Sequence, residues 1–116
     1  IRHEKVLPLL AHSSCRMMGG RVHILVLPVM RNLSLQDHLC TDETRRNLLF
    51  QRRLQIALDI CQGILYLHSE NKLDGKVQIL HRNLSPRSIL LDGNMNARIS
   101  DFGIAKISHD GSTVSW

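Results

Sequence analysis

The residues best suited to chemistry lie between positions 81 and 103, where the chain reads HRNLSPRSILLDGNMNARISDFG. Imidazole, guanidinium and carboxamide side chains follow one another at His81, Arg82 and Asn83, and a carboxylate comes at Asp101. The Asn83 amide can orient a hydroxyl group, but it cannot accept a proton at neutral pH. An amide at position 83 therefore cannot act as a general base.

The composition disfavours several other kinds of site. The three cysteines, Cys15, Cys40 and Cys61, are widely spaced and form no C-x-x-C pair, so neither a disulfide framework nor a zinc site is predicted. The seven histidines are scattered, and no H-E-x-x-H motif occurs. The formal net charge is +5, but the densest arginine run, between residues 45 and 53, contains a single aromatic residue, Phe50, and so lacks the series of aromatic side chains on which bases would stack. A solvated helix face is therefore favoured over a nucleic-acid surface.

The apolar pattern predicts one long helix, from Phe50 to Ser69, ahead of this stretch. Apolar residues recur on two of its faces, at the three- and four-residue spacings of an α-helix. The first face carries Leu54, Ala57, Leu58, Cys61 and Leu65, and the second carries Ile56, Ile60, Gly63, Ile64 and Leu67. A helix that is apolar on two faces is normally covered from more than one side. We expect this short chain to leave one face exposed, and therefore to be poorly stable or to associate through that face.

A β-hairpin is predicted inside the chemical stretch itself. Ile89–Leu91 and Ala97–Ile99 are apolar segments that flank the turn sequence Asp92-Gly93-Asn94, which indicates two short strands and a tight turn. The hairpin therefore lies between the residues at 81–83 and Asp101.

The N-terminal part is predicted to contain strands and one short helix. Val22–Leu27 is a continuous apolar run typical of a buried strand, and the Met17–Gly20 segment before it is a turn. Val6–Leu10 contains a proline and is either an edge strand or irregular. The Ser34–Asp37 segment is a capping box that opens a short helix. Two polar segments, Asn71–Gly75 and Ile107–Trp116, are predicted to be loops, the second of them mobile.

Taken with its hairpin, the stretch 81–103 resembles the catalytic core of protein kinases, whose signature is H-R-D-L-x-x-x-N followed by D-F-G. His81-Arg82 matches the first two positions, Leu84 and Pro86 stand where the family has them, and the D-F-G motif at 101–103 is intact. The segment at 31–35 is similar to the residues that follow the hinge in plant receptor-like and Pelle-type kinases.

This resemblance implies an α+β chain with a partial protein-kinase-like fold: the end of the N-lobe, the hinge and the first part of the mainly helical C-lobe. Residues 1–30 would form the region of the fourth and fifth strands with the hinge. Residues 31–116 would form the start of the C-lobe, the catalytic loop, the D-F-G motif and the start of the activation segment. We expect the chain to be an internal piece of a longer domain.

Three positions depart from the family pattern, all within the catalytic loop. By resemblance, Asn83 replaces the catalytic Asp, Ser85 replaces the catalytic-loop Lys, and Ser88 replaces the Asn that holds a second magnesium ion. Losing a general base costs roughly 10² to 10⁴ in rate, and losing one preorganised electrostatic group costs on the order of 10² to 10³. The resemblance therefore implies a catalytically impaired domain, a pseudokinase, with neutral drift in the loop as the alternative.

The resemblance also implies that parts of a nucleotide site remain. It gives Leu27 the gatekeeper place, Pro28 the carbonyl acceptor that follows, and Met30 the backbone N–H that meets adenine. Leu90 would form the floor under the base. Ordinary core packing is the alternative role for these apolar side chains.

For the metal, the resemblance makes Asp101 a magnesium ligand and leaves Ser88 as a weak one, because a neutral hydroxyl is a short and poor ligand. ATP and Mg²⁺ are thus the cofactors of the complete domain under this hypothesis. Neither is expected to bind firmly to this chain alone.

The regulatory residues are also carried over by resemblance. Leu9, His81 and Phe102 match three members of the apolar column that ties the two kinase lobes together. Arg82 would pair with a phosphorylated activation loop. The hydroxyls available there are Ser108, Ser112, Thr113 and Ser115, for which simple loop composition is the alternative.

The function implied is that of a receptor-like signalling domain with protein partners and no nucleic-acid partner. It would work in the cytoplasm, or at the cytoplasmic face of the plasma membrane if the parent is a receptor. The apolar run from Ile24 to Met30 is far too short to span a bilayer. Three hypotheses follow: a pseudokinase acting as a binding and allosteric module, a weakly active Ser/Thr kinase that uses Asp101 and one metal ion, and a truncated product without activity.

Overall fold

The computed structural model describes residues 2–108, and this part of the chain combines helices with short strands. The strands are β1 (Ala11–Met17), β2 (Gly20–Val26), β3 (Gln78–Leu80), β4 (Ile89–Leu91), β5 (Ala97–Ile99) and β6 (Lys106–Ser108). The helices are α1 (Leu35–Leu39), α2 (Asp42–Asn47) and α3 (Phe50–His68), and a 3₁₀ turn at Pro86–Ser88 precedes β4. The α+β class expected from the sequence is confirmed.

Strands β1 and β2 form an antiparallel hairpin, and the predicted turn between them is present. Gly19 and Gly20 have φ angles of 99° and 139°, which are accessible to glycine without strain. The prediction that Val22–Leu27 is buried is wrong, because every residue from Val22 to Leu27 is exposed. The two strands form a sheet of their own, and within residues 2–108 neither of its faces is covered.

Strands β4 and β5 form the predicted hairpin inside the chemical stretch, with Ile89 opposite Ile99. The connection is longer than the tight turn that the sequence indicated. It runs from Asp92 to Asn96, and the Asp92 carboxylate accepts backbone N–H groups from Asn94 and Asn96, each at 2.9 Å. This local hydrogen bonding closes a wider turn and leaves the pairing of the strands intact.

Helix α3 has the predicted position, and its second apolar face is the one that packs into the core. Ile56, Gly63 and Leu67 are buried there, whereas Leu54, Leu58 and Leu65 on the first face are more than half exposed. The core cluster consists of Val6, Leu48, Ile56, Leu67, Ile79, Ile89, Leu91, Ala97 and Ile99. One apolar face of α3 is thus uncovered within residues 2–108, as expected, although the sequence did not indicate which of the two it would be. Association through this face stays a prediction. None of the described helices is long and apolar enough to cross a membrane.

The remaining local predictions have mixed outcomes. The capping box of α1 is confirmed, since Ser34 Oγ accepts from Asp37 N at 3.2 Å and Asp37 Oδ2 accepts from Ser34 N at 2.9 Å. The hydrogen bonds that the Ser34 N–H and hydroxyl donate to the Asp37 carboxylate lower the pKa of Asp37. Val6–Leu10 is irregular, apart from a single bridge between Val6 and Ile99.

The prediction of a loop from Ile107 onward is wrong for Ile107 and Ser108, which belong to β6 and pair with β3. The rest of that predicted loop, residues 109–116, lies outside the described part of the chain.

A buried carboxylate joins three parts of the fold. Asp59, in the middle of α3, is 0 % exposed. Its Oδ1 lies 2.8 Å from Lys5 Nζ and accepts from Gln55 Nε2 at 3.0 Å, and its Oδ2 accepts the Ala97 N–H at 3.0 Å. Burial by itself raises the pKa of Asp59, but the hydrogen bonds from Lys5, Ala97 and Gln55 outweigh it and hold the pKa below its ordinary value.

The close approach of α3 to its neighbours requires a glycine at position 63. A Cβ there would lie 2.7 Å from Ile99 Cδ1 and 3.0 Å from the carbonyl oxygen of Lys5. Both neighbours are fixed, since Ile99 is in the core and the Lys5 carbonyl accepts the Ile99 N–H at 2.9 Å. Gly63 therefore lets α3 lie directly against the Lys5 segment and β5.

We expect Asp59→Asn to lower the free energy of unfolding by about 3–5 kcal/mol at neutral pH, because it leaves the Lys5 ammonium without its carboxylate. The stability that Asp59 contributes is present above its unfolded pKa of about 3.9 and is lost as pH falls through its lower folded pKa. Urea unfolding from pH 7 to pH 2 should therefore show an acid-dependent loss that the variant lacks. Asp42→Asn is the matched control: its ion pair with Arg45 is exposed and contributes about 0–1 kcal/mol.

We expect Gly63→Ala to destabilise the chain, since overpacking costs about 1–3 kcal/mol and exceeds the roughly 1 kcal/mol that alanine gains in a helix. Thermal unfolding measures the effect, with Gly93→Ala as control, where a Cβ would meet only Arg31 Cδ at 3.6 Å. Adding Ile99→Val removes the clashing methyl group and should recover part of the loss. Equal or higher stability of Gly63→Ala would contradict the close packing described here.

Candidate functional site

Two loops meet at the candidate site, and short strands hold them on either side. Residues 81–83 follow β3, and residues 100–105 connect β5 to β6. Because β3 and β6 pair antiparallel, with Ile79 opposite Ile107, the end of the second loop lies beside the start of the first. The two ends of the chemical stretch are neighbours in space for this reason.

His81 is buried and joins the two loops. Its Nε2 lies 2.6 Å from the Ser100 carbonyl oxygen, and its Nδ1 lies 3.1 Å from the backbone nitrogen of Asn83. Since the Asn83 N–H donates to Nδ1, the network assigns the proton of a neutral ring to Nε2, which donates to Ser100. The His81 ring also packs against Phe102, with ring centroids 4.9 Å apart.

Asn83 and Asp101, far apart in sequence, are in direct contact. Asn83 Nδ2 donates to Asp101 Oδ2 at 2.9 Å. An aspartate at position 83 would place two ionised carboxylates together at neutral pH, and like charges disfavour each other at this distance. The side chain at position 83 is therefore a hydrogen-bond donor toward the neighbouring carboxylate.

The backbone is strained at two residues of these loops. Arg82 and Asp101 have φ angles of 67° and 64°, a left-handed conformation that costs of order 1–3 kcal/mol per non-glycine residue. The Arg82 guanidinium Nε donates to the Ile104 carbonyl oxygen at 2.7 Å, which ties the two loops together once more. Strain of this kind persists where surrounding contacts enforce it, and it is common at functional sites.

Ser85 and Ser88 form a closed local network in the 3₁₀ turn. The Ser88 hydroxyl accepts the Ser85 N–H at 3.0 Å and donates to the Ser85 carbonyl oxygen at 2.9 Å. The Ser85 hydroxyl accepts the Arg87 N–H at 3.3 Å. Ser88 is only 1 % exposed. Both hydroxyls thus stabilise the turn. By resemblance, Ser85 stands at the position of the family's catalytic-loop lysine, and Ser88 stands at the position of its second magnesium ligand.

The donor set around Asp101 does not fit a pair of magnesium ions. Mg²⁺ takes oxygen ligands near ideal octahedral positions, of which kinase-type sites supply one or two from protein side chains and the rest from water and phosphate, so two ions need more than one protein ligand. Asp101 Oδ2 already accepts from the Asn83 amide, and the Ser88 hydroxyl, expected as a weak ligand, is directed to the Ser85 backbone. Within residues 2–108, no group of three or more His, Cys, Asp or Glu side chains could hold a metal ion.

The expected nucleotide residues are only partly brought together. Met30 is 8 % exposed and Leu90 is half-buried, and both are near the junction where Asn32 N–H donates to Leu91 O at 3.0 Å. Pro28 is half-buried, whereas Leu27 is 46 % exposed. The region after β2 therefore lies against β4, while the expected gatekeeper side chain is open to solvent.

Only some of the expected regulatory residues lie together in the structure. His81 and Phe102 are in contact, but Leu9 is 50 % exposed and lies outside the buried cluster. Ser108 is buried in β6, and the other three hydroxyls of the expected activation loop lie outside the described residues.

Sequence reasoning missed two features that support the site. One is the Lys5–Asp59 ion pair. The sequence could have indicated it, because Asp59 is the one carboxylate among the apolar residues of α3 and Lys5 is the one lysine in the segment before β1. The other is the Asn83–Asp101 bond itself, which no local pattern indicates because the two residues are distant in sequence.

Comparison with known proteins gives the site its context. The family model described as "Protein tyrosine and serine/threonine kinase" matches residues 1–115. The leucine-rich repeat receptor-like serine/threonine/tyrosine-protein kinase SOBIR1 of Arabidopsis thaliana is 46% identical over 115 residues, which cover 97% of this chain and 16% of that protein.

Two further relatives agree. The cysteine-rich receptor-like protein kinase 25 of Arabidopsis thaliana is 40% identical over 92% of this chain and 15% of its own length. The receptor protein kinase WSS1 of rice is 34% identical over 95% of this chain and 11% of its own length. The chain therefore spans less than a fifth of these relatives. Its sequence match and its mixed architecture agree, and the chain belongs to the protein tyrosine and serine/threonine kinase family as part of a receptor-like kinase domain.

Proposed function

We propose that this chain belongs to a receptor-like kinase domain that is impaired in phosphoryl transfer and acts as a binding and allosteric module in signalling. In this proposal residues 1–30 are the region of the fourth and fifth strands with the hinge, and residues 31–116 are the start of the C-lobe through the activation segment. The hydrogen bond from Asn83 to Asp101 carries the proposal, because it puts a donor where a kinase needs a proton acceptor.

The proton of the attacking hydroxyl has no acceptor at position 83. In kinases this position belongs to the carboxylate that accepts the substrate hydroxyl proton. The Asn83 amide nitrogen donates to Asp101, and its carbonyl oxygen can only orient a hydroxyl. The missing general base lowers the rate by roughly 10² to 10⁴.

The lysine that stabilises the transferred phosphoryl group in the family is absent at Ser85, and the asparagine that holds a second magnesium ion is absent at Ser88. Phosphoryl transfer depends mainly on positioning and electrostatic stabilisation. Ser85 and Ser88 are neutral, and their hydroxyls are engaged in the 3₁₀ turn. When Mg²⁺ is bound in this family, it neutralises charge on the nucleotide phosphates, but the donors described here fit no pair of ions.

The parent is proposed to signal through protein partners at the cytoplasmic face of the plasma membrane. The receptor-like relatives support this placement. Adenine recognition is retained in the proposal, since it uses backbone groups near Pro28 and Met30 together with the Leu90 side chain beneath the base. We propose that nucleotide binding by the complete domain gains little from magnesium.

The impairment is tested in the complete domain by restoring the family residues with Asn83→Asp, Ser85→Lys and Ser88→Asn. We expect transfer of labelled phosphate to a peptide to rise at least about 100-fold, because a general base and an electrostatic group return. Adding Asp101→Ala to the restored protein should abolish the gain. Asn94→Asp, in the hairpin turn, is the control that changes an exposed amide outside the site.

Robust phosphate transfer by the unaltered domain, lost in Asp101→Ala, would contradict the proposed impairment. It would instead favour a weakly active Ser/Thr kinase that uses Asp101 and a single metal ion.

Nucleotide binding is tested by thermal unfolding of the complete domain with ATP, in the presence and absence of Mg²⁺. We expect ATP to raise the melting temperature by a similar amount in both conditions, because the hydrogen bond from Asn83 already engages Asp101. A shift that needs Mg²⁺ would contradict this expectation. The absence of any shift in both conditions would exclude nucleotide binding and favour a product without activity of its own.

A further inference from the structure

Five contacts attach residues 100–108 to residues 78–83. The Ser100 carbonyl accepts from His81, and Phe102 packs on the same ring. The Ile104 carbonyl accepts from Arg82 at 2.7 Å, and β6 pairs with β3. Between the first two contacts lies the bond from Asn83 to Asp101. Each of the three consecutive residues at 81–83 thus holds a different part of the second loop.

The bond from Asn83 differs from the other contacts in its electrostatics. Asp101 has a φ angle of 64° and an exposed side chain, so its conformation is enforced by partners and not by burial. With an aspartate at position 83, two carboxylates would face each other there and repel, and a cation between them would relieve the repulsion. With an amide, the pair is attractive by itself, since a donor meets an ionised acceptor.

We propose that the Asn83 amide takes the place of a magnesium ion at Asp101 and positions residues 100–108 without metal or nucleotide. Asn83 is a positioning residue in this account. The inference rests on the proposed function, because both start from the replacement of the catalytic aspartate by Asn83. In this account that replacement also removed the need for Mg²⁺ at Asp101. In a kinase domain with this bond, residues 100–108 keep one conformation with or without ligand, and they therefore offer partners the same surface in both states.

Hydrogen exchange of the 116-residue chain tests the proposal, with peptides from residues 100–108 as the readout and peptides from α3 as the internal reference for folding. We expect Mg²⁺ alone to leave exchange in the unaltered chain unchanged. Asn83→Ala should speed exchange at 100–108 about tenfold or more, with or without Mg²⁺, because a hydrogen bond to a charged group is lost.

Asn83→Asp gives the opposite signature. Exchange at 100–108 should be fast without Mg²⁺ and should slow by about tenfold or more when Mg²⁺ is added, because two facing carboxylates make a cation site. Asn94→Ala and Asn94→Asp are the matched controls, since Asn94 is exposed and makes its hydrogen bonds through backbone atoms. Both should exchange like the unaltered chain.

Unaltered exchange in Asn83→Ala would overturn the proposal, as would slowing of the unaltered chain by Mg²⁺ to the extent seen in Asn83→Asp. If Asn83→Ala also loses protection in α3, that variant is unfolded and the test rests on Asn83→Asp. If Mg²⁺ then fails to slow exchange at residues 100–108 in Asn83→Asp, the proposal is overturned. These results are separable from the proposed function. Phosphate transfer by the complete domain would refute the impairment and leave the exchange result unaffected.

Discussion

The fold of residues 2–108 depends on one buried carboxylate, that of Asp59, whose two oxygens are both paired with donors. Asp59 has lost its hydration, and burying an unpaired charge would cost several kcal/mol. Its donors come from the segment before β1, from α3 itself and from β5, so these three parts must meet for the charge to be satisfied. Because Gly63 has no Cβ, the Lys5 segment and β5 can lie directly against α3 at that position.

The same constraint positions the candidate site, because β5 leads directly into it. The Asp59 carboxylate holds the Ala97 N–H, and Ile99 exchanges backbone hydrogen bonds with Lys5 and Leu7. Ser100 and Asp101 follow immediately, so their backbone begins from a fixed strand. Contacts from His81, Arg82 and Asn83 then fix the loop from its other side.

Local patterns were enough for the elements whose bonds are local. The capping box of α1, the extent of α3 and the pairing of β4 with β5 depend on neighbours within a few residues, and the sequence predicted them, although the turn of the hairpin is longer than expected. Burial was predicted less well. Val22–Leu27 has the composition of a core strand, yet it is exposed, because burial depends on what packs against a strand and not on its own residues. Likewise, Ile107 and Ser108 form a strand only because β3 lies beside them.

For the site, the sequence by itself determined which chemical groups are available: an amide at position 83, hydroxyls at 85 and 88, and a carboxylate at 101. Those identities leave no carboxylate at position 83 and no ammonium at position 85, whatever the fold. Only the tertiary structure decided which groups meet. It directed the Asn83 amide to Asp101 and the Ser88 hydroxyl to the Ser85 backbone. The physical reason is that hydrogen bonds need contact within about 3 Å, and such contacts between distant residues arise only when strands and helices pack.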